Sequence, residues 1–510
     1  MLESNSIAFQ SLLFLSSLFI FVIGVGVLWV IFAYIKDVTQ TEQAIRRNYP
    51  VIGRFRYLFE HLGEFFRQYF FAMEREELPF NRAQRSWIYR AAKNMDNTVA
   101  FGSTRDLTLP GTVLFVNCPF PTLGVDAVDP GPITIGEGYA RSSFTTSSLY
   151  NISGMSFGAI SVPAVQALSM GAAMAGCWMN TGEGALSPYH LEGGCDIVYQ
   201  IGTAKNGVRD LEGNLSDEKL QQAAAHDSVK MFEIKLSQGA KPGKGGILPG
   251  EKVTQEIAEI RGIHTGEDAI SPNRHPDISC NRELLNMIHH IREVTGKPVG
   301  FKAVISGDAW LNELFAEIDN MGLEFAPDFI TVDGADGGTG AAPMPLIDDM
   351  GLPLRESLPM LVDHLNLHGL RDRVKVIASG KLVNPADVAW ALCIGADFIT
   401  SARGFMFSLG CIQALQCNKN SCPTGITTHN PKLQKGLHPE TKKFRVADYV
   451  NNMVKEVGII AHSCGVKSAR ELMRRHARVV QGNGLSIPLD KLHPPVTRPR
   501  EKSQHASPTV

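Results

Sequence analysis

Three cysteines, Cys411, Cys417 and Cys422, fall within 12 residues and are followed by Pro423. Thiolates in this C-x5-C-x4-C spacing are candidates for iron–sulfur ligation. Zinc fits less well, because there is no C-x2-C knuckle and only His429 offers itself as a fourth ligand. On spacing alone, three reduced structural cysteines remain the alternative. The other six cysteines are scattered and read as ordinary thiols. A second signal is Lys302, which interrupts the apolar run VGFKAV. A lysine buried in a strand is costly unless it meets an anion. The electron-rich N1/C2=O edge of a reduced flavin is such a partner. An outward-facing lysine or a buried ion pair is the plainer reading.

Glycine-rich polar strings supply the third signal: ISGMSFGAIS (152–161), NTGEGA (180–185), QGAKPGKGG (238–246), DGADGGTGAAP (333–343), SGK (379–381) and SARG (401–404). Any one of them is ordinarily a tight turn. Each, however, follows a run with strand character. The candidate strands are 149–153, 176–180, 196–201, 231–236, 299–304, 328–332, 374–378 and 397–400. Eight β-units separated by helical stretches predict an α/β fold, a (β/α)8 TIM barrel, with a doubly wound open sheet as the alternative. In a barrel, the glycine strings all fall at the C-terminal ends of strands, where active sites form. Gly380 and residues 401–404 then occupy the two loops that build barrel phosphate sites.

The 510-residue chain is 44% hydrophobic and 20% charged, which excludes a disordered or fibrous protein. A net charge of -2 offers no field for nucleic acid. Nine cysteines without a dense framework suit a reducing compartment. Residues 11–35 carry no charge, enough for one membrane-spanning helix. Lys36, Arg46, Arg47, Arg54 and Arg56 follow it, which places the remainder in the cytoplasm. The expectation is a single-pass inner-membrane protein with a short extracytoplasmic stretch at 1–10. A juxtamembrane and lead-in region covers 36–148, the barrel 149–436, a helical extension 437–486 and a flexible tail 487–510. The aromatic-rich segment 49–71 reads either as a membrane-surface segment or, preferably, as one or two helices packed on the catalytic domain.

The strings ISGMSFGA, NTGEG, EIKLSQGAKPGKGG, LPGEKV, ISPNRHPDI, DGADGGTGAAP and CIQALQCNKNSCPTG resemble the flavin-binding synthase domain of glutamate synthase. The likeness runs from about 149 to 436. The lead-in at 36–110 and the anchor resemble stand-alone, membrane-attached members of that family. The resemblance implies FMN and a 3Fe-4S cluster held by Cys411, Cys417 and Cys422. It implies flavin contacts from Ser153, Gly154, Met155, Ser156, Asn180, Lys302, Asp333, Gly337, Gly338, Gly380, Ala402 and Arg403. It assigns Gln238 and Lys241 to 2-oxoglutarate, and Glu183 to the ammonia side, with a role in moving protons. The implied activity is that of an oxidoreductase acting on CH-NH2 donors. Ammonia condenses with 2-oxoglutarate, and reduced FMN delivers hydride to 2-iminoglutarate, giving L-glutamate.

The chain departs from full-length glutamate synthases. It shows no N-terminal cysteine nucleophile, no C-terminal β-helix and no G-x-G-x-x-G entering a helix after a strand. The expectation is that ammonia comes free or from a separate amidotransferase. Electrons would come from a ferredoxin, an NAD(P)H-dependent reductase or a membrane redox carrier. Two alternatives use the same barrel: an amine–glutamate ligase-type reaction, and a membrane-tethered electron-transfer flavoprotein.

Overall fold

The structure is a computed structural model that describes residues 2–496. The chain forms two compact units, Met1–Ala83 and Gln84–Val510. In the first, α1 (Leu2–Thr39) contains the whole uncharged run and carries Lys36 in its last turn. It is long and apolar enough to cross a membrane, with a mean hydropathy of 2.8 over its most apolar window. Two further helices follow, α2 (Ala44–Asn48) and α3 (Gly53–Phe66), and a π-helical turn, Arg67–Phe71, extends α3. Gly53 is required where these helices meet, since a Cβ there would lie 2.8 Å from the Ile45 carbonyl oxygen. The preferred expectation for 49–71 is one or two helices packed on the catalytic domain, and the segment does form α3 and its π-helical turn. Phe59, Phe70 and Phe71 of this segment are 66%, 73% and 77% exposed.

The second unit is built on a closed eight-stranded parallel barrel. Its strands are β1 (Tyr150–Ile152), β2 (Met179–Asn180), β3 (Ile197–Ile201), β4 (Val229–Lys235), β5 (Val299–Ala303), β6 (Phe329–Asp333), β7 (Lys375–Ser379) and β8 (Phe398–Ser401). β8 pairs with β1 through Thr400 and Asn151, so no edge is left open and the doubly wound alternative does not occur. All eight expected strands are present. Their near-continuous burial reflects a sheet covered on both faces, which is why they read as apolar runs.

Helices between the strands are delimited by local chemistry. Helix α4 (Val162–Ala175) starts at Ser161, whose hydroxyl accepts from the Ala164 amide, and ends at Gly176 with φ 66°. Gly171 lets it approach α5 (Pro439–Ser463): a Cβ there would lie 2.5 Å from the Val446 side chain. The lead-in closes the N-terminal end of the barrel. Its hairpin pairs Ile133–Ile135 with Phe144–Thr146 and drives Ile135 and Phe144 against Trp178, Met231, Phe329 and Phe398. Each such buried aromatic contributes roughly 1.5–3 kcal/mol. Beyond α5 the chain adds strands Ala477–Val480 and Ser486–Pro488, which pair antiparallel with each other. The expected flexible tail, 487–510, therefore opens on two strand residues, Ile487 and Pro488, and the short helix Leu489–Leu492. Residues 497–510 lie outside the described residues.

Candidate active site

Apolar side chains fill the N-terminal end of the barrel, and barrel active sites form at the C-terminal strand ends. A small cavity inside the barrel is lined by Ser153, Asn180, Glu233, Lys302, Thr331 and Thr400 on its polar side and by Trp178, Val198 and Ile377 of that core on the other. Parallel pairing aligns Lys302 with Lys235 on one side and Thr331 on the other. Glu233 organises this layer. Its carboxylate accepts from Asn180 Nδ2 at 2.9 Å, Gln200 Nε2 at 2.6 Å and Thr331 Oγ1 at 2.6 Å. Lys302 Nζ lies 3.1 Å from Asp333 Oδ2. Burial would lower the lysine, but Asp333 and Glu233 outweigh it and raise its pKa. Lys302 is therefore a permanent cation facing the cavity. Of the two sequence readings of Lys302, the buried ion pair is the one this geometry contains.

Asp333 also ties the loops together. Its Oδ2 accepts from the Gly239 amide at 2.9 Å. A Cβ on Gly239 would lie 2.1 Å from the Gly334 carbonyl oxygen, so only glycine permits the approach. Gln238 donates from Nε2 to the Gly338 carbonyl at 3.0 Å and accepts from Lys235. The 238–246 loop is thus docked on the 333–343 loop, with Gln238 serving as the tie.

Glu183 sits in the loop after β2, among three cations. Lys235 Nζ is 2.9 Å from its Oε1. Burial would raise Glu183, yet the charges of Lys235, Lys241 and Arg261 overcome it and hold its pKa at about 2. It is a firm carboxylate in this state. Lys241 is buried, and among the described residues its Nζ reaches only the Ala341 carbonyl, at 3.5 Å. Burial and the Lys235 charge bring it down to about 8, against the pull of Glu183. Arg261 donates to Ser156 Oγ at 3.2 Å and the Phe157 carbonyl at 2.7 Å, and it leaves Nε buried without a partner among the described residues. Thr400 Oγ1 is likewise buried and unsatisfied. Orphaned donors of this kind mark places a ligand can complete.

Around the rim, the Ser153 amide donates to the Ser401 carbonyl at 3.0 Å, and Met155 to Asn180 at 3.3 Å. A Cβ on Gly154 would lie 3.0 Å from Asn180 Oδ1, and one on Gly182 2.7 Å from the Ser156 nitrogen. On the far side, Arg403 Nη2 donates to the Asp336 carbonyl at 2.7 Å, and Gly338 lies flat against its guanidinium. Gly337 packs against Gly334, and Gly380 reaches the same turn with φ 133°. Ala402 caps the helix Arg403–Leu409. Lys381 lies close enough to Arg403 to be lowered by it, after burial, and two cations held together suit an anion.

The cysteine loop follows that helix. It turns through left-handed residues Gln413, Leu415 and Asn420, with φ of 58°, 54° and 51°. Such conformations in non-glycine residues cluster at functional sites. The three thiols are near enough to influence one another's charge. Among the described residues, no three Cys, His, Asp or Glu side chains converge on a point suited to a single metal ion. Burial pushes Cys411 up to about 12 and raises Cys417. For Cys422, hydrogen bonds from Thr424 and Thr427 overcome burial and lower it. Lys252, 2% exposed, donates from Nζ to the Ala159 carbonyl at 2.6 Å and the Cys417 carbonyl at 3.3 Å. No carboxylate pairs with it among the described residues. An all-sulfur donor set beside a buried cation fits an anionic cluster. His429 instead bonds the Gly158 carbonyl at 2.8 Å.

Sequence reasoning missed Glu233, Lys235, Arg261, Lys252 and Lys381. The first two were visible as charges two apart in the apolar strand MFEIK, which puts them on one face.

A closed parallel barrel with charged side chains gathered at the C-terminal strand ends defines a barrel enzyme. The family model described as the conserved region in glutamate synthase matches residues 126–467. The glutamate synthase large subunit-like protein YerD of Bacillus subtilis is 40% identical over 93% of this chain and 98% of its own length. The archaeal glutamate synthase [NADPH] of Methanocaldococcus jannaschii is 34% identical over 66% of this chain and 62% of its length. The glutamate synthase [NADPH] large chain of B. subtilis is 32% identical over 63% of this chain, which spans only 20% of that protein. The chain belongs to the glutamate synthase family of oxidoreductases.

Proposed function

We propose that this protein catalyses reductive amination of 2-oxoglutarate to L-glutamate in an FMN-containing barrel wired to a 3Fe-4S cluster. In balance, 2-oxoglutarate, ammonia, two electrons and two protons give glutamate and water. The observation that carries the reading is the pair of buried cations beside the ionised Glu183: Lys241 in the 238–246 loop and Arg261 at the end of the helix Gln255–Arg261. A substrate with two carboxylates suits two such cations, and charge-assisted bonds there contribute about 1.5–3 kcal/mol each. Glu183 pairs with Lys235, favours the protonated form of Lys241, and leaves a negative end that prefers the incoming amine.

The residues fit the absent groups. Ser153–Ser156, Asn180 and Lys302 would border the flavin ring. Gly380, Ala402 and Arg403, with Lys381, would hold its phosphate. Cys411, Cys417 and Cys422 would hold the cluster. When bound, FMN supplies hydride chemistry and the cluster single-electron transfer. Electrons come from an external donor. The archaeal relatives' names supply NADPH as a candidate, beside a ferredoxin or a membrane carrier. Ammonia comes free or from a separate amidotransferase. Helix α1 anchors the chain in the inner membrane, with the barrel on the cytoplasmic side.

The test is an anaerobic absorption spectrum of the full-length protein, titrated with 2-oxoglutarate. Flavin bands over a broad iron–sulfur background, perturbed by the keto acid, are expected. Flavin without iron would remove the cluster. Both cofactors without a 2-oxoglutarate response would leave electron transfer or a ligase-type reaction in its place.

A further inference from the structure

The aromatic segment after α1 has no place in the chemistry above, yet it is built with care. Asp37, in the last turn of α1, is fully buried. Its carboxylate accepts from Arg46 Nε at 3.1 Å, from Arg54 Nε and Nη2 at 2.8 and 2.9 Å, and from the Val51 amide at 3.0 Å. Arg54 also reaches the Ala33 carbonyl and lies over the Trp29 ring, 5.8 Å from its centroid. Bidentate arginine–carboxylate pairs fix orientation as well as contributing energy. The knot therefore holds the first turn of α3 level with residues 29–37, where the uncharged run gives way to Lys36. If α1 spans the bilayer, α3 begins at the boundary between acyl chains and headgroups.

What α3 presents there is one apolar stripe. Ile52, Phe55, Phe59, Leu62, Phe66 and Phe70 recur at intervals of three and four. The rings touch along the stripe, Phe55 to Phe59 at 6.5 Å and Phe66 to Phe70 at 5.4 Å between centroids. Phe55, Phe59, Phe66 and Phe70 are all exposed. Contiguous exposed apolar surface of this kind marks an interaction site. Arg56 and Arg67 emerge beside the stripe and Glu60 further round. Residues 44–71 carry five arginines against two glutamates. An apolar face flanked by arginines matches an anionic bilayer surface.

We propose that the face of α3 and its π-helical extension lies in the cytoplasmic headgroup boundary of the bilayer that α1 crosses. The chain would then be held by two elements, a span and an interfacial helix, fixed to each other through Asp37. This rests on the membrane reading of α1.

The test uses the full-length chain in nanodiscs of phosphatidylethanolamine and phosphatidylglycerol. p-Benzoylphenylalanine is placed singly at Leu18, Phe59, Phe70 or Glu60, irradiated, and the adducts are identified by mass spectrometry. Lipid adducts at Leu18, Phe59 and Phe70 but not at Glu60 are expected. A lipid adduct at Leu18 with only protein adducts at Phe59 and Phe70, whether within the chain or to a second copy, overturns the proposal while leaving the span. No lipid adduct at Leu18 overturns the span, and the proposal with it.

Discussion

Lys241→Met separates binding from folding. The ammonium of Lys241 is buried, touches one carbonyl at 3.5 Å, and is already lowered to about 8 by burial and Lys235. Burial of this charge is unfavourable in the free protein, so an apolar side chain of similar volume should leave stability unchanged or raise it. The substrate loses a charge-assisted bond of about 1.5–3 kcal/mol, which is roughly a 10- to 150-fold rise in Kd. The assay is 2-oxoglutarate titration followed in the flavin absorption bands, with thermal unfolding measured alongside. Lys241→Arg retains the charge and should recover part of the affinity. Unchanged Kd in Lys241→Met, with flavin bound and Tm preserved, would refute the assignment. A fall in both Tm and flavin content would show instead that Lys241 holds the loop.

Three further outcomes are expected. Because only protonated Lys241 binds a carboxylate, 2-oxoglutarate affinity should be flat below about pH 8 and fall roughly tenfold per unit above it, as isothermal titration across pH 6–10 will show. Glu233→Leu strands three donors and strips Lys302 of a compensating charge; a loss of about 3–5 kcal/mol is expected in urea unfolding, and a loss under 1 kcal/mol would contradict its organising role. Lys252→Met removes the buried cation beside Cys417, so the proposed cluster should become harder to reduce. A tenfold change in that equilibrium is 59 mV for one electron, read by redox titration with paramagnetic resonance, and an unchanged potential would mean Lys252 is only a loop tie.

The barrel was legible because its strands are buried on both faces. β6 reads FITVD and β8 FITS, apolar runs closed by a polar residue, and that pattern marks both the strand and its functional end. The second strand, expected at 176–180, is only Met179–Asn180 in the structure, too short for its apolar run alone to mark it firmly. The charges that support the site were harder to see. Lys302 stands alone in its strand and drew notice. Glu233 and Lys235 sit in a longer strand where two charges resemble an ordinary amphipathic surface, and only closure of the sheet shows that both point inward. Arg261 ends the helix Gln255–Arg261, where a basic residue is expected for the helix dipole alone. Its contact with Ser156, 105 residues away, exists only in the fold. Glu183 shows the same limit from the other direction. NTGEG identified the residue, but its state depends on Lys235, Lys241 and Arg261, which come from three other stretches of chain. Residue type and strand position locate a site in such a barrel. The protonation that decides what each group does is set by neighbours that meet only when the sheet closes.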